Sequence, residues 1–200
     1  YIGNKEGISG GKIIREGDEY QSWYGYVCEG IYQNQAEVDN SATTGTVYPG
    51  DLHYRNLADA DPNSPLINAE YDRTGLGSSL PHFNYGGTID LGWRGIDFNL
   101  TFQGVGKRNS YLTDEMVQPL RSQWYNVPTI VGGGNSWSRK NTIEQNRHVR
   151  YPRYSWNSAN NNYAISDFWI FDGSYFRVKN ITLGYTLPQK WMNRVHVKSL

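Results

Sequence analysis

Residues 83–105 alternate apolar and polar side chains almost without a break. Phe83, Tyr85, Ile89, Leu91 and Trp93 fall on one parity, and Asn84, Thr88, Asp90 and Arg94 on the other. After Arg94-Gly95 the pattern resumes with Ile96, Phe98, Leu100 and Phe102 against Asp97, Asn99, Thr101 and Gln103. A strict period of two specifies strands, and a two-residue connection specifies a hairpin and its register. That register pairs Trp93 with Ile96, Leu91 with Phe98 and Ile89 with Leu100 on one face. It sets Phe102 opposite Gly87, where a ring can cover a strand glycine. Each arm, tilted by about 40°, spans about 25 Å, the height of a membrane barrel's apolar band.

Composition fits such strands. The chain has 200 residues, with 16 Tyr, 7 Trp and 22 Gly, types that favour strands, turns and membrane interfaces. The 19 basic and 19 acidic residues cancel, so charge gives no argument for nucleic acid. No apolar run of 18 residues exists, which excludes a transmembrane helix. It leaves a barrel open, because barrel strands present apolar residues only at every second position. Cys28 is the only cysteine, so an internal disulfide is excluded, and a small, partly buried side chain is expected there. The chain does not begin with Met and ends within an alternating pattern (Val195, Val197), and we expect it to be a piece of a longer protein.

Along the chain, residues 1–19 read as turn and loop. Residues 20–33, with Trp23, Tyr24, Tyr26, Ile31 and Tyr32, read as a strand. Residues 34–81 read as a long loop punctuated by Pro49-Gly50, Asp61-Pro62, Ser64-Pro65 and Leu80-Pro81. Residues 106–172 form a second, longer irregular stretch, with a short helix expected near Asp114–Tyr125 behind a Thr113 cap. A strand over Ser174–Leu187 turns Ile181, Leu183, Tyr185 and Leu187 one way and Asn180, Thr182, Gly184 and Thr186 the other. Pro188 ends it, and Gln189–Arg194 turns the chain again. Connections thus alternate between very short and very long, as in outer-membrane barrels. An aromatic-rich soluble β-sandwich that binds carbohydrate is the alternative from these patterns alone.

Several blocks carry a resemblance. Ser174-Tyr-Phe-Arg-Val-Lys-Asn-Ile-Thr-Leu-Gly-Tyr-Thr-Leu-Pro188 resembles the C-terminal barrel signature of the SusC/RagA family of TonB-linked outer-membrane transporters. So, in the same order as in that family, do Trp23-Tyr-Gly-Tyr26 with Gly30-Ile-Tyr-Gln33, and Pro49-Gly-Asp-Leu52 with Tyr54-Arg-Asn-Leu57. Asp72-Arg73 leading to Leu80-Pro-His-Phe-Asn-Tyr-Gly86, and Gly95–Phe98 running to Phe102-Gln-Gly104, complete the match. The resemblance implies an all-β chain: a transmembrane antiparallel barrel segment with long extracellular loops, cut from a barrel of about 22 strands. It implies a plug, a TonB box and final strands outside this chain. It also implies a SusD-like surface lipoprotein as lid, TonB as energy source, oligosaccharides or peptides as cargo, and the Gram-negative outer membrane as location. Arg94-Gly95 would then lie at the periplasmic end, with Gly86 and Gln103 toward the outside.

Candidate site residues follow in three groups. Asn84, Thr88, Asp90, Asp97, Asn99, Thr101, Gln103, Asn180 and Thr182 would line the barrel interior, where polar walls pass a hydrophilic solute. Trp124, Tyr125, Trp137, Tyr154, Trp156 and Trp169 in the 106–172 stretch are candidate platforms for substrate or lid. Asp59, Asp61, Asn63 and Glu70 stand at EF-hand-like spacing and are candidate calcium ligands, although Ser64 replaces the turn glycine and Pro65 follows it. No other cofactor is expected. His53, His82, His148 and His196 are scattered and no nucleophile elbow occurs, so an enzyme reading has no constellation to rest on. The basic-aromatic run Arg147-His-Val-Arg-Tyr-Pro-Arg153 reads as a loop contact to an acidic partner.

Overall fold

The computed structural model describes residues 7–57, 66–112, 118–120, 127–154 and 161–194. The chain divides into two units: residues 1–80 with 109–171, and residues 81–108 with 172–200.

The second unit is a three-stranded antiparallel sheet. Its strands are β7 (Phe83–Trp93), β8 (Ile96–Gly106) and β11 (Tyr175–Tyr185), with β8 in the centre. The β7–β8 register sets Trp93 opposite Ile96, Leu91 opposite Phe98, Ile89 opposite Leu100 and Gly87 opposite Phe102. Arg94 (φ 46°) and Gly95 (φ 87°) both take positive φ, the geometry of a type I′ turn, whose twist matches that of the strands it joins. Three rings lie over glycines directly across the ladder: Phe102 over Gly87, Tyr85 over Gly104 and Phe83 over Gly106. Each replaces the packing that the glycine lacks.

β11 departs from simple alternation. Its apolar residues sit at Phe176 and Val178, then at Ile181, Leu183 and Tyr185, and the parity changes between the two sets. The register shifts between Val178 and Asn180, leaving Lys179 as the extra residue of a β-bulge. Val178 pairs with Phe102 and Ile181 with Leu100, so both sets reach one face. Without the bulge, half of the strand would present the wrong side chains. The strand ends at Tyr185, and Gln189–Arg194 forms a one-and-a-half-turn helix rather than an irregular turn.

The first unit holds its own core. Residues 20–33 are two strands, not the single one expected. β3 (Ser22–Gly25) belongs to a four-stranded sheet with β1 (Gly7–Ser9), β2 (Lys12–Ile14) and β6 (Thr74–Ser78), in the order β1-β2-β3-β6. β4 (Cys28–Ile31) pairs instead with β5 (Leu52–Tyr54). The split falls at Gly25, whose missing side chain admits the backbone of Ile165. Tyr26 then donates its N–H to the Ile165 carbonyl at 2.9 Å, and Asp167 N–H donates back to the Tyr26 carbonyl at 3.1 Å. A neighbouring segment thus takes over the ladder where the strand would have continued.

The stretches read as long loops also contain short elements. α1 (Gln35–Asp39) is capped by Asn34, and α3 (Ile143–His148) by a Thr142/Gln145 capping box. α2 covers Thr129–Gly132, and β9 (Asn109–Tyr111) pairs with β10 (Ile170–Asp172). The helix expected over Asp114–Tyr125 lies outside the described residues, apart from 118–120. Tyr32, Val38 and Val47 form one buried cluster. Leu52, Tyr54 and Ile67 form another, with Tyr26, Cys28, Ala164 and Phe168 packed on it.

Candidate functional site

All nine polar residues expected to line an interior share one face of the three-stranded sheet. Thr88 stands opposite Thr101, Asp90 opposite Asn99 and Gly92 opposite Asp97. Asn180 stands opposite Thr101, Thr182 opposite Asn99 and Gly184 opposite Asp97. Register alone places Asn84 and Gln103 on the same side.

The face is cross-linked. Asn99 Nδ2 donates to Asp90 Oδ1 at 2.5 Å, and Asn180 Nδ2 donates to Asn99 Oδ1 at 3.1 Å and to Thr182 Oγ1 at 3.0 Å. The hydroxyls of Thr88 and Thr101 meet at 3.2 Å. This ladder fixes side chains that would otherwise each hold a different rotamer in water. Asp97, with side-chain-free Gly92 and Gly184 opposite it on the two neighbouring strands, lines a groove of about 270 Å³ together with Asp90, Asn99 and Thr182.

The opposite face is apolar and bare. Leu91 is 61 % exposed, Trp93 67 % and Leu183 74 %. A sheet with one polar and one apolar face, aromatic at both ends of the apolar one, is matched to two media. The tilted rings of Phe83 and Tyr85 lie 6.0 Å apart at one end, and Arg94 caps the Trp93 ring at 5.1 Å at the other.

In the first unit a buried carboxylate organises the loops. Asp51 is 3 % exposed and receives four donors. Arg153 Nε reaches Oδ1 at 2.6 Å and Nη2 reaches Oδ2 at 3.1 Å. Asn162 Nδ2 donates to Oδ1 at 2.9 Å and the Tyr48 N–H to Oδ2 at 2.9 Å. Asn162 in turn accepts the Leu52 N–H at 2.8 Å, and its carbonyl accepts the Trp169 indole N–H at 2.7 Å. Nothing in the sequence pattern singled out Asp51, Arg153 and Asn162 as a set. The separate signals were Pro49-Gly-Asp-Leu52 among the resembling blocks and Arg153 at the end of the basic-aromatic run.

The aromatic candidates divide. Trp169 (1 % exposed) and Trp137 (7 %) point inward, which corrects the expectation of exposed platforms at these two positions. Trp169 is surrounded by Tyr151, Tyr163 and Phe168. Trp137 packs against Gly50 and Arg153. Tyr154 is half-buried and donates its hydroxyl to the Val131 carbonyl at 2.7 Å. Trp124, Tyr125 and Trp156 lie outside the described residues.

The calcium expectation rests on Asp59, Asp61 and Asn63, which also lie outside them. Glu70 is exposed. Among the described residues no three His, Cys, Asp or Glu side chains gather as a metal site. The carboxylate that orders this stretch is Asp72, which accepts the N–H groups of Leu57 at 2.8 Å and Asn68 at 2.6 Å. Burial pushes the Cys28 thiol up to about 12 and the Tyr32 phenol likewise to about 12. Neither is a poised nucleophile.

A two-faced sheet of long strands, joined by a tight turn at one end and by a long connection at the other, has the build of a wall segment of a membrane β-barrel. Comparison with known proteins gives the family. TonB-dependent receptor P3 of Formosa agariphila is 30 % identical over 192 residues, which cover 94 % of this chain and 17 % of that protein. TonB-dependent receptors P39 and P26 of the same organism are 22 % and 24 % identical over 94 % and 96 % of the chain. The structure of the RagAB peptide importer in its closed-closed state superposes with a TM-score of 0.61 at 16 % identity, over 96 % of this chain and 19 % of that one. Over nearly its whole length the chain therefore has the fold and the sequence pattern of a segment of a TonB-dependent receptor. This assignment displaces the soluble sandwich, and the relatives are receptors rather than enzymes. The chain spans 17 %, 20 % and 18 % of the length of the three curated relatives. No protein-family model matches it.

Proposed function

We propose that this chain is part of the wall and outer loops of a barrel that imports an oligosaccharide or peptide across the Gram-negative outer membrane. TonB would supply the energy and a SusD-like surface lipoprotein would close over the loops. The two-faced sheet supports this reading most directly. Its apolar face suits lipid, and its ladder from Asp90 through Asn99 to Asn180 suits the hydrated interior of a transport path. The chain's likeness to a known peptide importer supports the fold of the reading, and the relatives support the receptor class.

The test is uptake by whole cells that carry the full receptor gene, a deletion of it, or an intact gene without TonB. Candidate oligosaccharides and peptides are supplied as sole nutrients. The expected result is growth on at least one nutrient that disappears in both deletion strains. Growth unchanged by the receptor deletion on every nutrient, or retained without TonB, overturns the proposal.

A further inference from the structure

One segment departs from the neutral balance of the whole chain. Residues 127–154 carry Arg139, Lys140, Arg147, Arg150 and Arg153 against the single carboxylate of Glu144. Glu144 is already engaged, with His148 at 3.0 Å and Arg147 at 3.7 Å. Within this segment lies a cleft of about 400 Å³, in the size range of small-ligand sites. Trp137, Tyr154, Ser136, Asn141, Arg139 and Arg153 line it. None of its lining residues is acidic.

The two lining arginines differ. Arg153 is neutralised by Asp51 and held over the Tyr48 ring at 5.1 Å. Arg139 is exposed, and among the described residues no carboxylate pairs with it. Among the described residues the cleft therefore presents one positive charge without a carboxylate partner. Its walls are set in advance. Ser136 bridges to Tyr151, and Trp137 N–H donates to the Tyr151 carbonyl at 2.9 Å. Buried Asn146 ties both the N–H and the carbonyl of Ser138, at 3.1 and 2.9 Å. Trp137 also keeps its indole Nε1–H buried with no acceptor among the described residues, an uncommon and costly state for a donor in the wall of a polar cleft.

We propose that this cleft binds an acidic oligosaccharide, with the sugar carboxylate on Arg139 and the hydroxyls among Ser136, Ser138 and Asn141. The inference rests on the importer reading above and narrows its cargo. An acidic peptide shares the charge but not the fit. Peptides commonly add as a strand to a free sheet edge. No lining residue of the cleft lies in a named strand, and the N–H groups of Trp137, Ser138 and Arg153 are already given to Tyr151, Asn146 and Gly50. Hydroxyl and amide side chains beside the half-buried Tyr154 ring suit a sugar better.

Calorimetry on the full-length receptor in detergent tests this with three probes: trigalacturonic acid, neutral maltotriose and triaspartate. The expected result is binding of trigalacturonic acid, weakened about tenfold or more by Arg139→Ala and largely retained by Arg139→Lys. Added salt should weaken it further. Equal affinity for maltotriose, no effect of Arg139→Ala, or preference for triaspartate overturns the proposal. Arg139 is exposed, so the variant leaves the fold intact, and an unchanged melting temperature verifies this. The two readings fail separately. A receptor that binds trigalacturonic acid but supports no TonB-dependent growth keeps the cleft and loses the importer. TonB-dependent growth on another nutrient, with no binding of trigalacturonic acid, does the reverse.

Discussion

The two units solve the same problem in opposite ways. The unit of residues 7–80 and 109–171 buries its largest side chains, among them Trp169, Tyr32, Tyr54 and Leu52, around a carboxylate with four donors. In the three-stranded sheet the only buried positions among the described residues are Gly104 and Gly106, under the rings of Tyr85 and Phe83. One unit is held by what it encloses. The other is held by its ladder and by the media on its two faces. Substitutions should therefore be felt through packing and satisfied polar groups in the first unit, and through solvent matching in the second.

The largest test removes enclosure. Trp169→Ala deletes a fully buried ring and its hydrogen bond to the Asn162 carbonyl, and should destabilise the loop unit by about 3–5 kcal/mol. Protease digestion of the full receptor should then cut within 109–171 while the 81–108 hairpin stays protected. Equal loss of protection in both would erase the distinction between the units. Asp51→Ala should cost about 3 kcal/mol, because Arg153 is left facing a void with no counter-charge. Here Asp51→Asn is informative. It keeps the acceptor for Arg153 Nε but loses the charge, and should fall between the wild type and the alanine variant in urea unfolding.

In the sheet, Ile89→Arg places a charge on the apolar face beside the middle of β7 and should cost about 2–4 kcal/mol when the receptor is refolded into lipid vesicles. Thr88→Arg, one pleat away on the polar face, should change stability by only about 0.5 kcal/mol. Similar penalties for the two would break the assignment of faces. Gly95→Ala should cost about 1 kcal/mol, since φ is 87° and a Cβ there would meet the Thr186 carbonyl oxygen at 2.9 Å. The smallest effect concerns pH. Burial raises the folded-state values of Cys28 and Tyr32 above the unfolded ones, so the folded state holds their protons more tightly. Their contribution is complete below about pH 9 and is lost as pH rises toward about 12. Iodoacetamide at pH 8 should leave Cys28 unlabelled in the folded receptor and label it in urea, as read by mass spectrometry.

These differences also explain what could be read ahead of the structure. The hairpin was legible because its information is local. Parity, a two-residue turn and opposed partners all lie within 83–105, and the register has one solution. The same alternation placed all nine polar residues on one face. Lys179 escaped notice because two consecutive polar residues, Lys179-Asn180, look like noise unless a bulge is considered.

The loop unit was opaque for the opposite reason. Asp51 and Arg153 are 102 positions apart, and Leu52 and Asn162 are 110 apart. Asn161 and Asn162 have the composition of a turn, and only the fold reveals that they bind β5. Trp137 and Trp169 were read by chemical type as exposed platforms. Type does not tell enclosure from display, since a large ring with one polar atom serves either.

The bulge at Lys179 makes β11 behave like a text with a change of reading frame in the middle. Phe176 and Val178 are in one phase, Ile181, Leu183 and Tyr185 in the other, and a single residue reconciles them. Exchanges of one side chain for another are local events on such a strand. Gains or losses of one position are not, because everything on one side of the change would swap oil for water. Related sequences should therefore vary freely in letter along this strand while keeping its length, except where one insertion is cancelled by a nearby deletion.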